Sequence, residues 1–259
     1  MSSPVVVVTG ASKGIGLAIT RILLQKFSAT VVAISRTRSS DLGDLFKTHG
    51  GALIIEECDV ADETALRSTL INVEETLGHL DALVLNAGVL EPLGRIGSPE
   101  SSLDGWRSHF EVNLFSCVNA VKVALPALRK SKYTGRVIFT SSGSAVGGTP
   151  GWGPYNASKA ALNSLCRTLA NEEPDIITVA IRPGKVDTAM QTTIREKGAG
   201  PMTDKDYQIF IREHEEGKLV KPEDCGHVMA ALSVLATKEL SGGFFSWNSK
   251  ECEPYRWPA

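Results

Sequence analysis

The sequence predicts an α/β fold in which helices cover both faces of a doubly wound parallel sheet, in a single domain over residues 1–259. Short apolar runs alternate along the chain with amphipathic helical patterns, as a parallel sheet with crossover helices requires. The run Val5–Thr9 is too continuously apolar for a strand with one face in water, which indicates a central strand covered on both faces. No internal repeat or linker divides the chain.

Composition and charge favour a small-molecule partner. Hydrophobic residues make up 42% of the chain and charged residues 22%, which is ordinary for a globular protein. Lys and Arg number 27 against 29 Asp and Glu, a net charge of −2, so no basic surface for nucleic acid or an anionic membrane is visible. There is no signal-peptide pattern and no apolar run of the roughly 18 residues that a membrane helix needs. We therefore expect a cytoplasmic protein that binds neither nucleic acid nor membrane.

The cysteines argue against metal and redox chemistry. They are odd in number, scattered, and form no Cys-x-x-Cys pair, so we expect reduced core thiols and no metal site. The five are Cys58, Cys117, Cys166, Cys225 and Cys252.

The first predicted strand leads into a glycine loop and then a helical pattern. Glycines in such a loop let the backbone approach a pyrophosphate, which sits on the unpaired amides and positive dipole end of the helix. The spacing is G-x-x-x-G-x-G, and a loop of this kind also serves as a simple connector. We expect a Rossmann-type dinucleotide site whose phosphate loop comprises Gly10, Ser12, Lys13, Gly14, Ile15 and Gly16.

The end of the second predicted strand, residues 30–34, indicates which dinucleotide binds. Enzymes that use NAD carry Asp or Glu about 20 residues beyond the loop to bind the ribose 2′-hydroxyl, whereas an Arg accommodates the 2′-phosphate of NADP. This chain has a neutral Ser35, a cationic Arg36 and a second cation, Lys13, in the loop. The sequence therefore predicts NADP(H). A solvated surface side chain is the alternative for Arg36.

Two further strand ends supply candidate cofactor contacts. The predicted strands at 52–58 and 82–85 are followed by Asp59, Val60, Asn86, Ala87 and Gly88. The carboxyl ends of parallel strands meet at one edge of a sheet, where dinucleotides bind. Asp59 would bind an adenine amino group or simply cap the next helix, and Asn86 would line the cofactor or merely turn the chain.

A phenol and an ammonium stand four residues apart in a predicted helix, at Tyr155 and Lys159. One helical turn places the two side chains on one face. A nearby cation lowers the pKa of a tyrosine, so the pair is typical of a general acid and base. The motif alone contains no rare residues. Its surroundings strengthen it, because an apolar strand at 136–142 ends in hydroxyls and can present Ser142 to the same space.

Two helices carry more apolar surface than one buried face needs: residues 103–130 and the helix that continues from Tyr155. We expect a homo-oligomer, a dimer or tetramer, built by twofold packing of these helices. Burial of both helices inside a monomer is the alternative.

Periodicity weakens beyond the predicted strand at 176–181 and returns with a helix at 222–237 and a last strand at 242–246. The weakly patterned segment 186–217 is a candidate substrate lid. The tail, 247–259, has no assignment.

In this order the motifs resemble the short-chain dehydrogenase/reductase family, in its compact single-domain branch. The resemblance runs from about residue 5 to 246 and rests on the glycine loop, Asn86-Ala87-Gly88, Asn113, Ser142, Tyr155-x-x-x-Lys159 and residues 183–188. The separation of Ser142 and Tyr155, 155 − 142 = 13 residues, is usual in the family and favours Ser142 over Ser141. Leu85 stands where many members have a second asparagine, which is a mild departure.

The resemblance implies a mechanism. Tyr155 protonates a carbonyl oxygen as NADPH delivers hydride to the carbon, and Ser142 hydrogen-bonds that oxygen. Lys159 holds the nicotinamide ribose and lowers the tyrosine pKa. Asn113 would hold a water behind the lysine, although a satisfied core amide is the alternative. Further cofactor contacts are implied for Pro183, Gly184, Val186 and Thr188.

The second half of the chain also looks like the fungal benzil reductases, relatives of sepiapterin reductase. That likeness implies NADPH-dependent reduction of a carbonyl in a 1,2-diketone. An apolar pocket for a bulky or aromatic ketone would be lined by Val146, Trp152, Val186 and Met190, each of which is equally explained as plain core. The competing hypotheses are an NAD-linked alcohol dehydrogenase and a nucleotide-binding protein without catalysis.

Overall fold

The computed structural model describes residues 3–257 and confirms the predicted α/β fold. Positions 1–2 and 258–259 of the predicted domain lie outside the described residues. The strands are β1 Val5–Thr9, β2 Thr30–Ser35, β3 Leu53–Glu57, β4 Ala82–Leu85, β5 Arg136–Thr140, β6 Ile177–Arg182 and β7 Gly243–Ser246. They form one parallel sheet in the order β3-β2-β1-β4-β5-β6-β7.

Helices connect the strands and cover the sheet. They are α1 Gly14–Lys26, α2 Ser40–His49, α3 Glu63–Leu77, α4 Leu103–Phe110, α5 Ser116–Leu128, α6 Gly153–Glu172, α7 Ala189–Lys197, α8 Asp204–Glu215 and α9 Pro222–Leu235. Short 3₁₀ turns occur at Gly143–Val146, Lys238–Leu240 and Lys250–Tyr255.

Two separate hydrophobic cores lie on the two faces of the sheet. Side chains alternate between the faces of a strand, so β1 contributes Val6 and Val8 to one core and Val5 and Val7 to the other. The first core includes residues of α1 and α9, and the second includes residues of α3, α5 and α6. The continuous apolar run of β1 is therefore explained by burial on both sides.

The predicted helix at 103–130 is interrupted in the structure. A π turn, Glu111–Phe115, separates α4 from α5, and Asn113 stands at its centre. The Ser116 hydroxyl donates to the Val112 carbonyl oxygen at 2.6 Å within this stretch. A widened turn of this kind often marks a functional position in a helix.

The candidate lid contains two helices that the sequence analysis did not predict, α7 and α8. Both are polar and bury few side chains, namely Gln191, Ile194 and Phe210, so their apolar periodicity is too weak to read. The unassigned tail likewise forms the 3₁₀ turn Lys250–Tyr255, whose Cys252 and Tyr255 are buried.

One expectation about membrane-length runs needs correction. The continuous stretch Leu103–Leu128 is long and apolar enough to satisfy the length and composition of a membrane span. In the fold 44% of the most apolar 18 residues of this stretch is buried. A core helix of a soluble protein can have the same length and composition.

All carboxyl ends of the parallel strands lie at one edge of the sheet. The chain leaves β1 in one direction towards β2 and β3, whereas β4 to β7 extend on the other side. A crevice forms where the strand order reverses, and open α/β sheets bind their ligands there.

The close approach of α1 to the loop that precedes it gives the first testable prediction. A Cβ on Gly16 would lie 2.2 Å from the Gly10 carbonyl oxygen and 2.6 Å from Asn86 Nδ2, so Gly16→Ala should lower the free energy of unfolding by about 1–3 kcal/mol. Thermal unfolding measures this, with Gly200→Ala as control because nothing lies within 4 Å of a Cβ there. Equal melting temperatures for the two variants would contradict the packing described.

Candidate active site

The crevice at the carboxyl edge is a cleft of about 850 Å³ that collects most of the predicted site residues. Those lining it are Gly10, Ser12, Lys13, Gly14, Ile15, Ser35, Arg36, Asp59, Val60, Asn86, Ala87, Gly88, Ser142, Tyr155, Lys159, Pro183, Gly184, Val186, Thr188 and Met190. Four others lie outside the lining. Gly16 is packed behind the loop, Asn113 is buried behind the cleft, Trp152 is in an apolar cluster, and Val146 is exposed.

The glycine loop has the features of a phosphate site. Gly10 has φ +67° and Gly14 has φ +55°, values that favour glycine. The N-cap residue of α1, Lys13, provides no side-chain hydrogen bond, and the first turn of this helix has no acidic residue. The first-turn amides and the positive end of the helix dipole are therefore available to an anion. The residues present fit the pyrophosphate of a dinucleotide.

Asn86 supports this loop from the neighbouring strand. Its Nδ2 donates to the carbonyl oxygens of Thr9 at 3.0 Å and Gly10 at 3.3 Å. The Thr9 hydroxyl in turn accepts from the backbone amides of Asn86 and Ala87, each at 3.0 Å. Asn86 therefore both lines the cleft and ties the end of β4 to the loop after β1.

Two exposed cations border the far end of the cleft. Lys13 and Arg36 both line it and both side chains are in contact with solvent. The Ser35 hydroxyl donates to the Thr37 carbonyl oxygen at 3.0 Å, and β2 ends at this residue without an acidic side chain. Ser39, which the sequence analysis missed, links this end to the loop by donating to the Ser12 carbonyl oxygen at 2.6 Å.

Asp59 is not the cap of the following helix. The Asp59 carboxylate accepts from the Ala61 amide at 3.0 Å, whereas Asp62 caps α3 by accepting from the Ala65 amide at 2.9 Å. Asp59 remains exposed on the cleft lining.

Tyr155 and Lys159 lie together at the other end of the cleft, on the first turns of α6. Lys159 is only 3% exposed, and its Nζ donates to the Thr140 carbonyl oxygen at 2.7 Å and lies 5.7 Å from the centre of the Tyr155 ring. Burial lowers the pKa of Lys159 from its ordinary value to about 8. The strand end of β5 thus holds the ammonium in place.

The pKa of Tyr155 moves in the opposite direction from the one expected. We predicted that the Lys159 ammonium would lower it, but burial raises the pKa of Tyr155, and the Ser142 hydroxyl offsets only part of this rise. Removal of the phenolate from water is therefore the dominant influence on the pKa of Tyr155. The buried phenol therefore holds its proton at neutral pH and is placed to donate it.

Ser142 and Ser141 differ in what they contact. The Ser141 hydroxyl is buried and donates to Asn163 Oδ1 at 2.6 Å, so it is already engaged in the core. Ser142 is partly exposed on the cleft, where its hydroxyl accepts from the Ser144 amide at 3.2 Å. The hydroxyl that faces Tyr155 is that of Ser142, the residue favoured by the sequence spacing.

Asn113 joins a buried network that includes a histidine the sequence analysis missed. Asn113 is fully buried, its Oδ1 accepts from the Val89 amide at 2.8 Å, and its Nδ2 donates to the Val89 carbonyl oxygen at 2.8 Å. His109 Nε2 lies 2.8 Å from Asn113 Nδ2 and 3.0 Å from the Ser158 hydroxyl. The Glu91 carbonyl oxygen accepts from His109 Nδ1 at 2.8 Å, so Nε2 is the accepting nitrogen.

This network keeps His109 neutral and close to Tyr155. Burial, with a smaller contribution from the Lys159 charge, lowers the pKa of His109. Its ring meets the Tyr155 ring edge-on, with centres 6.1 Å apart. A lone histidine in an amphipathic helix does not by itself indicate a position beside Tyr155. Its hydrogen-bond partners Glu91, Asn113 and Ser158 come from three separate segments, so no local pattern predicts them.

The predicted apolar pocket is only partly formed by the residues named for it. Trp152 packs edge-on against Tyr155 with ring centres 5.7 Å apart, in a cluster with residues of α7 and α8. Val186 is buried and Met190 half-buried on the cleft lining. Val146 is 74% exposed and outside the cleft lining, because the 3₁₀ turn directs it to solvent.

Within residues 3–257, His, Cys, Asp and Glu form no group of three or more able to hold a metal ion. The five cysteines there are buried and unpaired.

Comparison with known proteins gives one consistent family. A family model described as short chain dehydrogenase matches residues 4–199. An uncharacterized oxidoreductase of Schizosaccharomyces pombe is 39% identical over 246 residues, 95% of this chain and 96% of that protein. The benzil reductase ((S)-benzoin forming) IRC24 of Saccharomyces cerevisiae is 34% identical over 258 residues, 96% of this chain and 98% of that protein. A crystal structure of a Saccharomyces cerevisiae short chain dehydrogenase/reductase matches with a TM-score of 0.92 at 32% identity, covering 98% of this chain and 100% of the other.

The fold, the cleft and these relatives define an oxidoreductase built on a dinucleotide-binding domain. The chain belongs to the short-chain dehydrogenase family, whose members use the nicotinamide cofactors NAD(H) or NADP(H).

The buried lysine gives a prediction about stability and pH. The unfolded lysine keeps its proton up to its ordinary pKa of 10.5, whereas the folded one releases it near 8, so the unfolded state binds more protons between these values. The buried charge therefore destabilises the fold below pH 8, by up to about 3 kcal/mol, and this destabilisation disappears as the pH rises towards 10.5.

Lys159→Met should accordingly raise the melting temperature at pH 7 in the absence of cofactor, even after losing the bond to Thr140. The gain should shrink between pH 8 and 10. Scanning calorimetry across this range measures it, with the exposed Lys122→Met as control. A gain that does not change with pH would show that the buried charge is not its cause.

Proposed function

We propose that the protein is an NADPH-dependent carbonyl reductase that transfers hydride to a ketone, with 1,2-diketones such as benzil as the substrate class. The observation that carries this proposal is the placement of a buried, protonated Tyr155 beside Ser142 and Lys159 on the wall of the dinucleotide cleft. A benzil reductase that is 34% identical over 96% of this chain supports the substrate class. The apolar side chains of Leu90, Val186 and Met190 on the cleft lining support a bulky or aromatic substrate.

Tyr155 acts in this proposal as the general acid. Its raised pKa keeps the hydroxyl protonated, so it donates a proton to the carbonyl oxygen as negative charge develops there. The Ser142 hydroxyl hydrogen-bonds the same oxygen and holds it within reach of the phenol. When bound, the reduced nicotinamide cofactor supplies the hydride that the carbonyl carbon accepts.

Lys159 and Asn113 act behind the phenol. Lys159 would hold the nicotinamide ribose, since its Nζ reaches the cleft while bonded to the Thr140 carbonyl oxygen. A Cβ on Gly88 would meet Asn113 Oδ1 at 3.4 Å and Lys159 Nζ at 3.7 Å, which places both groups around one residue. The Asn113 side-chain amide is bonded to Val89 and His109, and its proposed role is to hold a relay water behind Lys159.

Lys13 and Arg36 carry the proposed preference for NADPH. They are two cations at the end of the cleft where β2 finishes, and neither has a carboxylate partner among the ion pairs of the described residues. An arginine in this position pairs with a ribose 2′-phosphate. The remaining contacts to the cofactor would come from the glycine loop, Asn86 to Gly88 and residues 183–188.

The proposal also covers the cellular location and the oligomeric state of the protein. We place the enzyme in the cytoplasm, as expected from the sequence. We also expect a homo-oligomer through α4, α5 and α6, where Phe115 and Leu103 are exposed.

Consumption of NADPH tests the reaction and its acid together. With benzil, the wild type should oxidise NADPH, followed by loss of absorbance, and Tyr155→Phe should lower the rate by roughly 10²- to 10⁴-fold. Tyr133→Phe is the matched control, because Tyr133 precedes β5 at the opposite edge of the sheet. The proposal is wrong if the wild type binds NADPH but reduces no ketone, or if both variants keep full activity.

Cofactor choice has a separate test. Arg36→Asp should lower the ratio of NADPH to NADH efficiency roughly 10- to 100-fold, because it replaces a phosphate ligand by a repelling carboxylate. Arg38→Asp is the control, since Arg38 is also exposed but its guanidinium lies 4.8 Å over the Phe46 ring. An unchanged ratio in Arg36→Asp would refute this assignment.

A further inference from the structure

Gln191 is a buried polar side chain of the cleft that the proposed mechanism does not use. It lies in the first turn of α7, is 5% exposed, and lines the same cleft as Tyr155 and Ser142. Its Oε1 is buried and has no hydrogen-bond partner among the described residues. Leaving such a group unpaired costs about 1–3 kcal/mol, so its burial beside a ligand cleft needs an explanation.

The helix that carries Gln191 is anchored at several points. The Gln191 amide donates to the Thr188 carbonyl oxygen at 2.9 Å. Ile194 is buried in the apolar cluster with Trp152, and at the end of the helix Lys197 Nζ lies 2.6 Å from Glu91 Oε1. These contacts fix the position of α7, so the Gln191 side chain stays at the cleft and cannot reach hydrogen-bond partners elsewhere in the domain.

A second unpaired polar group lies in the same region. Trp152 is buried, its ring packs edge-on against Tyr155, and its Nε1 has no partner within the described part of the chain. The surroundings of Trp152 are otherwise apolar: Leu90, Leu93, Ile194, Met202 and Phe210. This cluster packs behind Tyr155, whereas Gln191 lines the cleft itself together with the apolar side chains of Val186 and Met190. Apolar side chains with a few polar groups are the composition typical of a ligand site.

We propose that Gln191 binds the second oxygen of a 1,2-dioxygenated substrate while the first oxygen lies at Tyr155 and Ser142. A side-chain amide suits both ends of such a reduction, because a half-turn exchanges its donor and acceptor. Its NH₂ donates to the second carbonyl of a diketone, and its oxygen accepts from the hydroxyl of an α-hydroxyketone. This inference rests on the proposed carbonyl reductase function and identifies the residue that selects the substrate.

The physical consequence is discrimination against simple ketones. A diketone offers an acceptor to the Gln191 NH₂ once the amide has made its half-turn, which moves Oε1 away from its unpaired position, whereas a monoketone of the same shape offers no second oxygen. Benzil and deoxybenzoin form a matched pair, because they share both phenyl rings and one carbonyl and differ in the second carbonyl. Benzil is intrinsically easier to reduce, so the informative quantity is how a substitution changes the ratio of the two efficiencies.

Gln191→Met keeps the length of the side chain and removes its hydrogen bonds. We expect it to lower the ratio of kcat/KM for benzil to that for deoxybenzoin about tenfold. Thr192→Val, on the next and exposed residue of the same helix, should leave the ratio at its wild-type value. A ratio within twofold of wild type in Gln191→Met overturns the proposal. So does a rise in the KM for NADPH that is equal with both ketones, since Gln191 would then contact the cofactor.

A binding measurement separates this inference from the proposed function. In a Tyr155→Phe background with NADPH present, titration calorimetry should show benzil binding about tenfold more weakly when Gln191→Met is added, with a smaller change for deoxybenzoin. Equal dissociation constants overturn the role of Gln191. If the wild type reduces neither ketone, the proposed function fails, and the calorimetric comparison still decides whether Gln191 binds the second oxygen.

Discussion

Parallel pairing of the seven strands is the constraint on which the other features depend. It brings every strand end to one edge, so loops that are distant in the chain meet there. The Thr9 hydroxyl at the end of β1 accepts from the amides after β4, and the Thr140 carbonyl oxygen at the end of β5 accepts from the Lys159 ammonium. The cleft is the space that these ends enclose where the strand order reverses.

Burial then sets the chemistry of the groups at that edge. Removal from water lowers the pKa of Lys159 and raises that of Tyr155, and both shifts favour the uncharged form. The buried Lys159 charge lowers the stability of the fold. A destabilising charge beside a protonated phenol is a combination common at functional sites. The buried Asn113 and His109 are hydrogen-bonded to each other behind these groups, and His109 contacts Ser158, whose hydroxyl donates to the Tyr155 carbonyl oxygen. The π turn in the α4–α5 stretch thus packs against the helix that carries Tyr155.

The segment between β6 and α9 supplies apolar side chains that pack next to Tyr155. Helices α7 and α8 pack Ile194 and Phe210 against Trp152 and so continue the apolar wall next to Tyr155. The ion pair from Lys197 to Glu91 ties this segment to the rest of the domain, and the ion pair from Lys185 to Glu213 lies within the segment. Gln191 of α7, whose Oε1 is unpaired, lines the cleft beside the apolar side chains of Val186 and Met190, which is the composition typical of a ligand site.

Local patterns in the sequence determined a large part of this protein. The β-branched run of β1, the glycine loop and the one-turn spacing of Tyr155 and Lys159 depend on short-range rules of helices, strands and turns. The choice of Ser142 over Ser141 came from the resemblance to the family, through the spacing of Ser142 and Tyr155. The direction of the Tyr155 pKa, the partners of Asn113 and His109, the burial of Gln191 and the exposure of Val146 were decided only by the tertiary structure. The first three depend on desolvation or hydrogen bonding by groups far away in the chain, for example across the 49-residue separation of His109 and Ser158, and such distances leave no local pattern to read. Val146 is exposed because it ends a 3₁₀ turn, which its apolar side chain does not predict.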